Sequence, residues 1–392
     1  MSHPRFLLCV YFMLALFLFS SPALAEGTEG PVWHLEDAGL DFASHSVHYP
    51  RLVSTESGVN PERLEALNSL LQEQTGARGD TARLASVLSS PIPLVTTWEG
   101  EVYGELLSVH LHASGPVDSV EGVEDRTCVV DLSTGKPLDL ADFFSDPALA
   151  QETMTTILEE RILPSLSPHL MHADLLPLPE TFTVDPYGIT LWYPASRYML
   201  LSGNSGSVRF FWSELVSSLS PESNPYLEQL GVRQQFTLGE DSREHLESAI
   251  AQGVFPPVPA ALGDRLQDIC QRFPPASDPD NIEGYRLFSL EGADFYDVYL
   301  LTDALHVNDY TESLVLGIRA DRLMLYGLLT GSTTVEAWRD ALGTPDATLD
   351  LSPEEAESFR LPPGTSDFYH FGSRILRLHA DENGILQSLI LQ

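Results

Sequence analysis

His110 and His112 are the residues whose spacing most directly suggests chemistry. Two apart on a segment that reads as a strand, they point to one face, a geometry that chelates zinc once a third ligand joins them. No H-E-x-x-H or C-x-x-C accompanies them, and a solvated strand face is the competing reading. His45 and His48 have the wrong spacing for one face, and His169 and His172 sit in a Pro-rich stretch. Gly203, Ser205 and Gly206 resemble a nucleophile elbow only in part, because Ser207 stands where G-x-S-x-G needs glycine and the loop joins strand to strand. With 56 acidic residues no carboxylate pair stands out. No phosphate cradle or dinucleotide fingerprint is present, so no catalytic residue, metal or cofactor is assigned.

The remaining chemistry is aromatic. Tyr187, Trp192, Tyr193, Tyr198, Phe210, Phe211 and Trp212 crowd together, and such side chains stack on sugars and anchor protein interfaces. Strand alternation assigns most of them to a core. A candidate binding surface is left at the turn and Gly/Ser loop: Tyr193, Arg197, Tyr198, Asn204 and Ser205.

Compartment and charge bound the partners. Arg5, the apolar run Phe6–Phe19 and Ala23-Leu24-Ala25 read as a cleaved secretory leader over 1–25, and the run is short for a membrane span, which needs ~20 residues. The chain is therefore expected to be periplasmic or secreted, with no membrane span after cleavage. Its 21 basic residues against 56 acidic ones give a net charge of −35, and Lys136 is the only lysine. Nucleic acid and anionic membranes both need basic contacts, so neither is an expected partner. A cationic partner would be steered toward this surface, although solubility alone also explains such a charge. Beyond the leader two cysteines remain, Cys128 and Cys270. An oxidising compartment permits them to pair, closing a loop of roughly 140 residues worth up to ~5 kcal/mol; two buried thiols are the alternative.

The elements that must position these residues read as α+β: two domains, each an antiparallel sheet packed with a few helices. The boundaries are 26–225 for the first, 226–240 for a linker and 241–392 for the second. Asn60 caps a helix whose first residue is Pro61 and whose buried face carries Leu64, Leu67 and Leu71. Strands over 93–98 and 101–112 are joined at Glu99-Gly100. Asp146 and Pro147 open a second helix, and Asp185-Pro186-Tyr187-Gly188 forms a turn between strands. A capping box of Thr333 and Glu336 opens a helix that ends at Gly343, and strands close the chain.

Residues from about 45 to 219 resemble the extracytoplasmic domain shared by RsiV-type anti-sigma factors and the N-terminal region of some peptidoglycan deacetylases. The likeness rests on His48-Tyr-Pro-Arg-Leu52 before a helix bearing Asn68, Tyr103 to Val109, and Val130-Asp-Leu-Ser-Thr-Gly-Lys-Pro-Leu138 running into Leu140 to Phe144. It extends to Tyr193-Pro194 and a strand running into Ser213-Glu-Leu215. The resemblance implies an α+β domain that recognises a partner outside the cytoplasm, which in the anti-sigma branch is lysozyme, a cationic protein. The chain lacks that branch's sigma-binding segment and transmembrane helix, and lacks a deacetylase domain. Gly331 to Pro345 is similar to the helix unit of β-lactamase-inhibitor-like and outer-membrane small-lipoprotein folds, which also serve binding. The expected function is a cell-envelope binding protein recognising a protein or a cell-wall glycan, and not an enzyme. An envelope hydrolase with a site assembled from scattered acids and histidines, and a structural protein without a small ligand, are the alternatives.

Overall fold

The computed structural model describes residues 33–42, 45–54, 59–75, 93–117, 120–162, 178–193, 206–271, 273, 275–282, 284–290, 297–306 and 310–392. The leader over 1–25 lies outside them. Strands β1 (Trp33–Asp37), β2 (Leu40–Phe42), β3 (His45–Val47) and β4 (Pro50–Ser54) precede the helix Pro61–Gln74. Three long strands follow, β5 (Val95–Tyr103), β6 (Leu106–Val117) and β7 (Val120–Asp131), with the short β8 (Lys136–Pro137) against the last. After the helix Pro147–Ile157 come β9 (Phe182–Asp185), β10 (Gly188–Tyr193) and β11 (Gly206–Phe211). The rest of the chain supplies β12 (Asp280–Ile282), β13 (Tyr285–Ser289), β14 (Val298–Thr302), β15 (Gly317–Ala320), β16 (Met324–Leu325) and β17 (Leu328–Leu329). It ends with β18 (Ala347–Leu351), β19 (Gly364–Phe371), β20 (Arg374–Asp381) and β21 (Leu386–Leu391). The fold is α+β, as the sequence predicts.

Period-two alternation divides β6 and β7 between two layers. Leu107, Val109, Cys128 and Val130 face the helix Pro61–Gln74, where they pack with Leu67, Leu71, Trp33 and Leu52. That helix begins as its residues require: the Asn60 side chain accepts from the Glu62 amide at 2.9 Å, and Pro61 needs no donor. The opposite face carries Leu106 and Val129 and packs on the three-stranded sheet β11-β10-β9 and the helix Pro147–Ile157. Asp146 caps this second helix by accepting from Leu149 N at 3.1 Å, and Ala150, Met154 and Ile157 are its buried side.

Two expectations shift by a few residues. Glu99-Gly100 is not a turn; β5 runs through it to Tyr103, and the hairpin closes at Gly104, whose φ of 63° favours glycine. Gly100 serves a close approach instead, since a Cβ there would stand 2.5 Å from the Ser108 carbonyl oxygen across the ladder. The late helix, Val335–Leu342, is capped by Thr334, not Thr333: the Thr334 hydroxyl accepts from Ala337 N at 3.2 Å, while Thr333 turns inward and accepts from Leu329 N at 2.8 Å.

The C-terminal half is an eight-stranded antiparallel sheet in the order β12-β13-β14-β15-β21-β20-β19-β18. One face packs on Leu246 and Ile250 of the helix Glu240–Gln252 and on Trp338 and Leu342, the other on Leu351, Ala356 and Leu361. The stretch 226–240, read as a linker, has secondary structure of its own. It folds into the short helices Pro225–Gln229 and Val232–Phe236, which bury Leu227, Leu230 and Val232 in the first half's core. Met324 joins that core from the second half, the Gln235 side chain accepts from Tyr326 N at 3.0 Å, and Arg322 grips Glu214 with its Nε 2.8 Å from Oε1. The boundary thus carries apolar packing and a shielded ion pair. Cys128 lies under the helix Pro61–Gln74, whereas Cys270 ends the short helix Leu266–Cys270 against the C-terminal core. Of the two readings of these cysteines the structure has the unbridged one: both thiols are free, each packed into a different core. Burial pushes the Cys128 thiol up to about 12 and the Cys270 thiol up to about 11.

Candidate functional site

On the second-layer face of the first sheet, polar side chains alternate along β6 as Ser108, His110 and His112. Across the ladder, His112 opposes Asp125 and His110 opposes Thr127, with Glu99 of β5 on the other flank of His110. Register therefore brings two imidazoles to one carboxylate: His110 Nε2 and His112 Nδ1 each stand 2.9 Å from Asp125 Oδ1. His110 Nδ1 lies 3.5 Å from Glu99 Oε1. Trp192 of β10 covers the group, its ring stacked on the His110 imidazole at a centroid distance of 3.5 Å and an interplanar angle of 12°. The Trp192 indole N–H donates to Thr183 Oγ1 at 3.0 Å, which fixes the ring.

The overlying β9 is fastened by the same face. Its Val184 amide donates to Ser108 Oγ at 3.0 Å and its Phe182 amide to Thr127 Oγ1 at 3.1 Å. These hydroxyls satisfy main-chain donors that a crossing strand would otherwise leave buried and unpaired.

Electrostatics make the centre a proton-holding pair. Burial works against the His110 imidazolium, but hydrogen bonds to Asp125 and Glu99 outweigh it and raise its pKa above the ordinary histidine value. Burial likewise opposes the Asp125 carboxylate, and the two imidazoles outweigh it and lower its pKa. Asp125 Oδ2 is buried without a hydrogen-bond partner in the structure. The arrangement can hold a proton and present His112, whose side chain is 33% exposed, at its rim. His110 and His112 thus share a face as expected, and Asp125, which nothing in the spacing singled out, joins them as an acceptor. Among the described residues no group of three or more His, Cys, Asp or Glu side chains is arranged to hold a metal ion.

The expected binding residues fare differently. Tyr193 is buried in the core with Ile189 and Leu191, because β10 turns its odd-numbered side chains inward. Arg197, Tyr198, Asn204 and Ser205 lie outside the described residues, as do His169 and His172. His45 is buried and its Nδ1 accepts from Leu94 N at 3.0 Å. His48 stands at the surface between Asp37 Oδ2 at 2.6 Å and Asp41 Oδ1 at 3.4 Å. A serine–histidine pair exists elsewhere, Ser366 Oγ lying 2.9 Å from His379 Nδ1, but both residues are fully buried and His379 Nε2 is spent on the Pro362 carbonyl at 2.8 Å.

Further along β7, on the face that carries Asp125, Thr127 and Val129 border a cleft of about 620 Å³. Phe144, Met154 and Phe182 supply apolar wall, while Asp139 and Glu180 stand exposed at its margin. No lysine, arginine or histidine lines it among the described residues.

No protein-family model matches the sequence. No curated protein matches it either. Among solved structures the fold has neighbours in the DUF3298 family. One is a DUF3298 member from Bacteroides fragilis, with 13% sequence identity and a TM-score of 0.34 over 52% of this chain and 99% of the other. Another is a DUF3298 protein from Pseudomonas aeruginosa PAO1, with 13% identity and a TM-score of 0.32 over 49% of this chain and 92% of that one. Among the described residues no helix is long and apolar enough to cross a membrane.

Proposed function

We propose that this chain is a secreted or periplasmic binding protein of the cell envelope that recognises a cationic protein. The net charge of −35 carries the reading. A field of that size attracts a basic partner over about a Debye length and orients it before contact. The resemblance to RsiV-type domains points the same way, since it implies a lysozyme-like partner, and a cell-wall glycan is the other ligand it allows. The cleft beside β7 supports the reading locally, being lined among the described residues by carboxylates and aromatic rings without a basic residue. The His112–Asp125 pair could act as acid and base, but among the described residues no hydroxyl or thiol is hydrogen-bonded to it, which keeps binding ahead of hydrolysis.

Retention of hen lysozyme on the immobilised chain is the test. It is expected at low salt and should weaken steadily as salt rises. No retention of lysozyme or of cell-wall fragments at low or moderate salt overturns the proposal.

A further inference from the structure

The edge of β7 is paired over only a short length. β8 opposes it at Val130 and Asp131 alone, and beyond that the Val129 carbonyl accepts from Leu138 N at 2.9 Å. Successive main-chain groups of a strand point to opposite edges. Because the Val129 carbonyl points away from β6, the amide and carbonyl of Thr127 point the same way. No described strand opposes them there. The cleft of about 620 Å³ lies along this edge, with Phe144, Met154 and Phe182 on its walls and Asp139 and Glu180 at its margin.

We infer that this cleft receives an extended segment of the partner protein, added as a strand beside β7 and carrying lysine or arginine. The inference rests on the proposed binding function and gives it a place. Three observations converge on one occupant. A strand edge that no described strand pairs supplies main-chain donors and acceptors, which is what strand addition uses for affinity. The apolar walls accept alternate side chains of an added strand. Among the described residues that line the cleft the charged ones are carboxylates, so it favours cations over acidic segments, although Lys136 stands near Asp139.

The probe is a short synthetic peptide alternating lysine and valine, added to the full chain and followed by fluorescence anisotropy, with amide exchange read at Thr127. Binding and slowed exchange of the Thr127 amide are expected. A glutamate–valine peptide should not bind, and neither should the lysine peptide N-methylated throughout its backbone, which keeps its charge and loses its donors. Thr127→Pro removes the outward amide but also the hydroxyl that accepts from Phe182 N, so it is read beside Thr127→Val, which removes the hydroxyl alone: the proline variant should abolish binding and the valine variant should keep it. Asp139→Asn with Glu180→Gln should weaken binding about fivefold. Equal binding of the N-methylated peptide, or unchanged exchange at Thr127 in a saturated complex, shows attraction by charge alone and overturns the inference. Failure of the lysine peptide to bind also overturns it. Loss of lysozyme retention by the unaltered chain is the separate result that removes the function itself.

Discussion

Asp125 and Asp367 are both strand carboxylates whose side chains are wholly shielded from solvent, yet they are held in different ways. Asp367 of β19 uses both oxygens. Trp338 Nε1 donates to it at 2.9 Å, Arg339 donates from Nε at 2.7 Å and Nη2 at 2.8 Å, and Thr348 Oγ1 donates at 2.7 Å. Asp125 of β7 receives both of its partners on one oxygen and leaves the other without a partner. The donors differ in kind too: a guanidinium, an indole and a hydroxyl keep their protons at any physiological pH, whereas imidazoles do not. The first arrangement is a fastener that joins the helix Val335–Leu342 to the sheet. The second is under-satisfied, titratable and close to the acidic cleft, which is the pattern of a site.

The largest expected effect belongs to the fastener. Asp367→Ala leaves the Trp338 indole donor buried without an acceptor and frees Arg339, whose 39% exposure lets it rehydrate. A loss of about 3 kcal/mol in chemical denaturation is expected. A loss under about 1 kcal/mol would mean that Asp367 holds nothing the helix does not hold alone.

The two halves should also answer pH in opposite directions. His379 of β20 is fully buried, and burial, helped by the charges of Arg377 and Arg319, pushes its pKa down to about 4 despite the Pro362 carbonyl and Asp321. Its folded state binds fewer protons than the unfolded chain between about 6.5 and 4. Stability therefore falls as pH falls through that window, by about 2 kcal/mol. His110 has the opposite sign: its folded pKa is raised, so its contribution is complete below about 6.5 and is lost as pH climbs through the folded value. Read as protection factors, with the intrinsic pH dependence of exchange divided out, protection should fall in β19 and β20 on going from pH 7 to 4.5, and in β6 and β7 as pH climbs through the raised His110 value. Parallel behaviour of the two sheets would break the comparison.

Asp125→Asn sharpens the same contrast at a smaller scale. It keeps an acceptor for one imidazole but removes the charge that favours the His110 imidazolium. A cost of about 1–2 kcal/mol is expected at pH 6. The cost should shrink as pH climbs through the raised His110 value, where the wild-type imidazolium is itself lost, and the His110 titration followed by NMR should move down. A cost independent of pH would make Asp125 a packing residue.

How much of this was legible in the sequence depends on the range of the interaction. The spacing of His110 and His112 places them on one face because alternation is local. Asp125 was not legible, because its meeting with them depends on where the β6–β7 hairpin turns, and a slip of one residue would send it to the other face. The mistaken turn at Glu99-Gly100 has the same root: glycine marks both turns and close strand approaches, and only the ladder shows that Gly104 is the one in the left-handed region. The helix Pro353–Phe359 could have been found, since Ser352 and Glu355 form a capping box with Pro353 at the first position. Burial of Tyr193 followed from the alternation that its neighbours Ile189 and Leu191 already displayed. The joining of the two halves through Arg322 and Glu214 links residues more than a hundred positions apart, and no local pattern announces it.

The smallest effect tests how the fastener is aimed. Trp338 and Arg339 reach Asp367 from the first turns of their helix, so its N-terminus must be ordered for them to meet it. Thr334 supplies that order by accepting from Ala337 N. Thr334→Ala should cost about 1 kcal/mol and speed exchange of the Ala337 amide, and Thr334→Ser should restore both, because only the oxygen is needed. Thr333 is a separate device, its hydroxyl closing the β16–β17 turn on Leu329 N and the Gly327 carbonyl. Thr333→Ala should therefore loosen β16 and β17 and leave the Ala337 amide protected. The Asp367→Ala penalty should also shrink in the Thr334→Ala background, since a frayed first turn no longer holds Trp338 and Arg339 against the carboxylate. Strict additivity of the two substitutions would mean that packing of the Trp338 ring alone positions the pair.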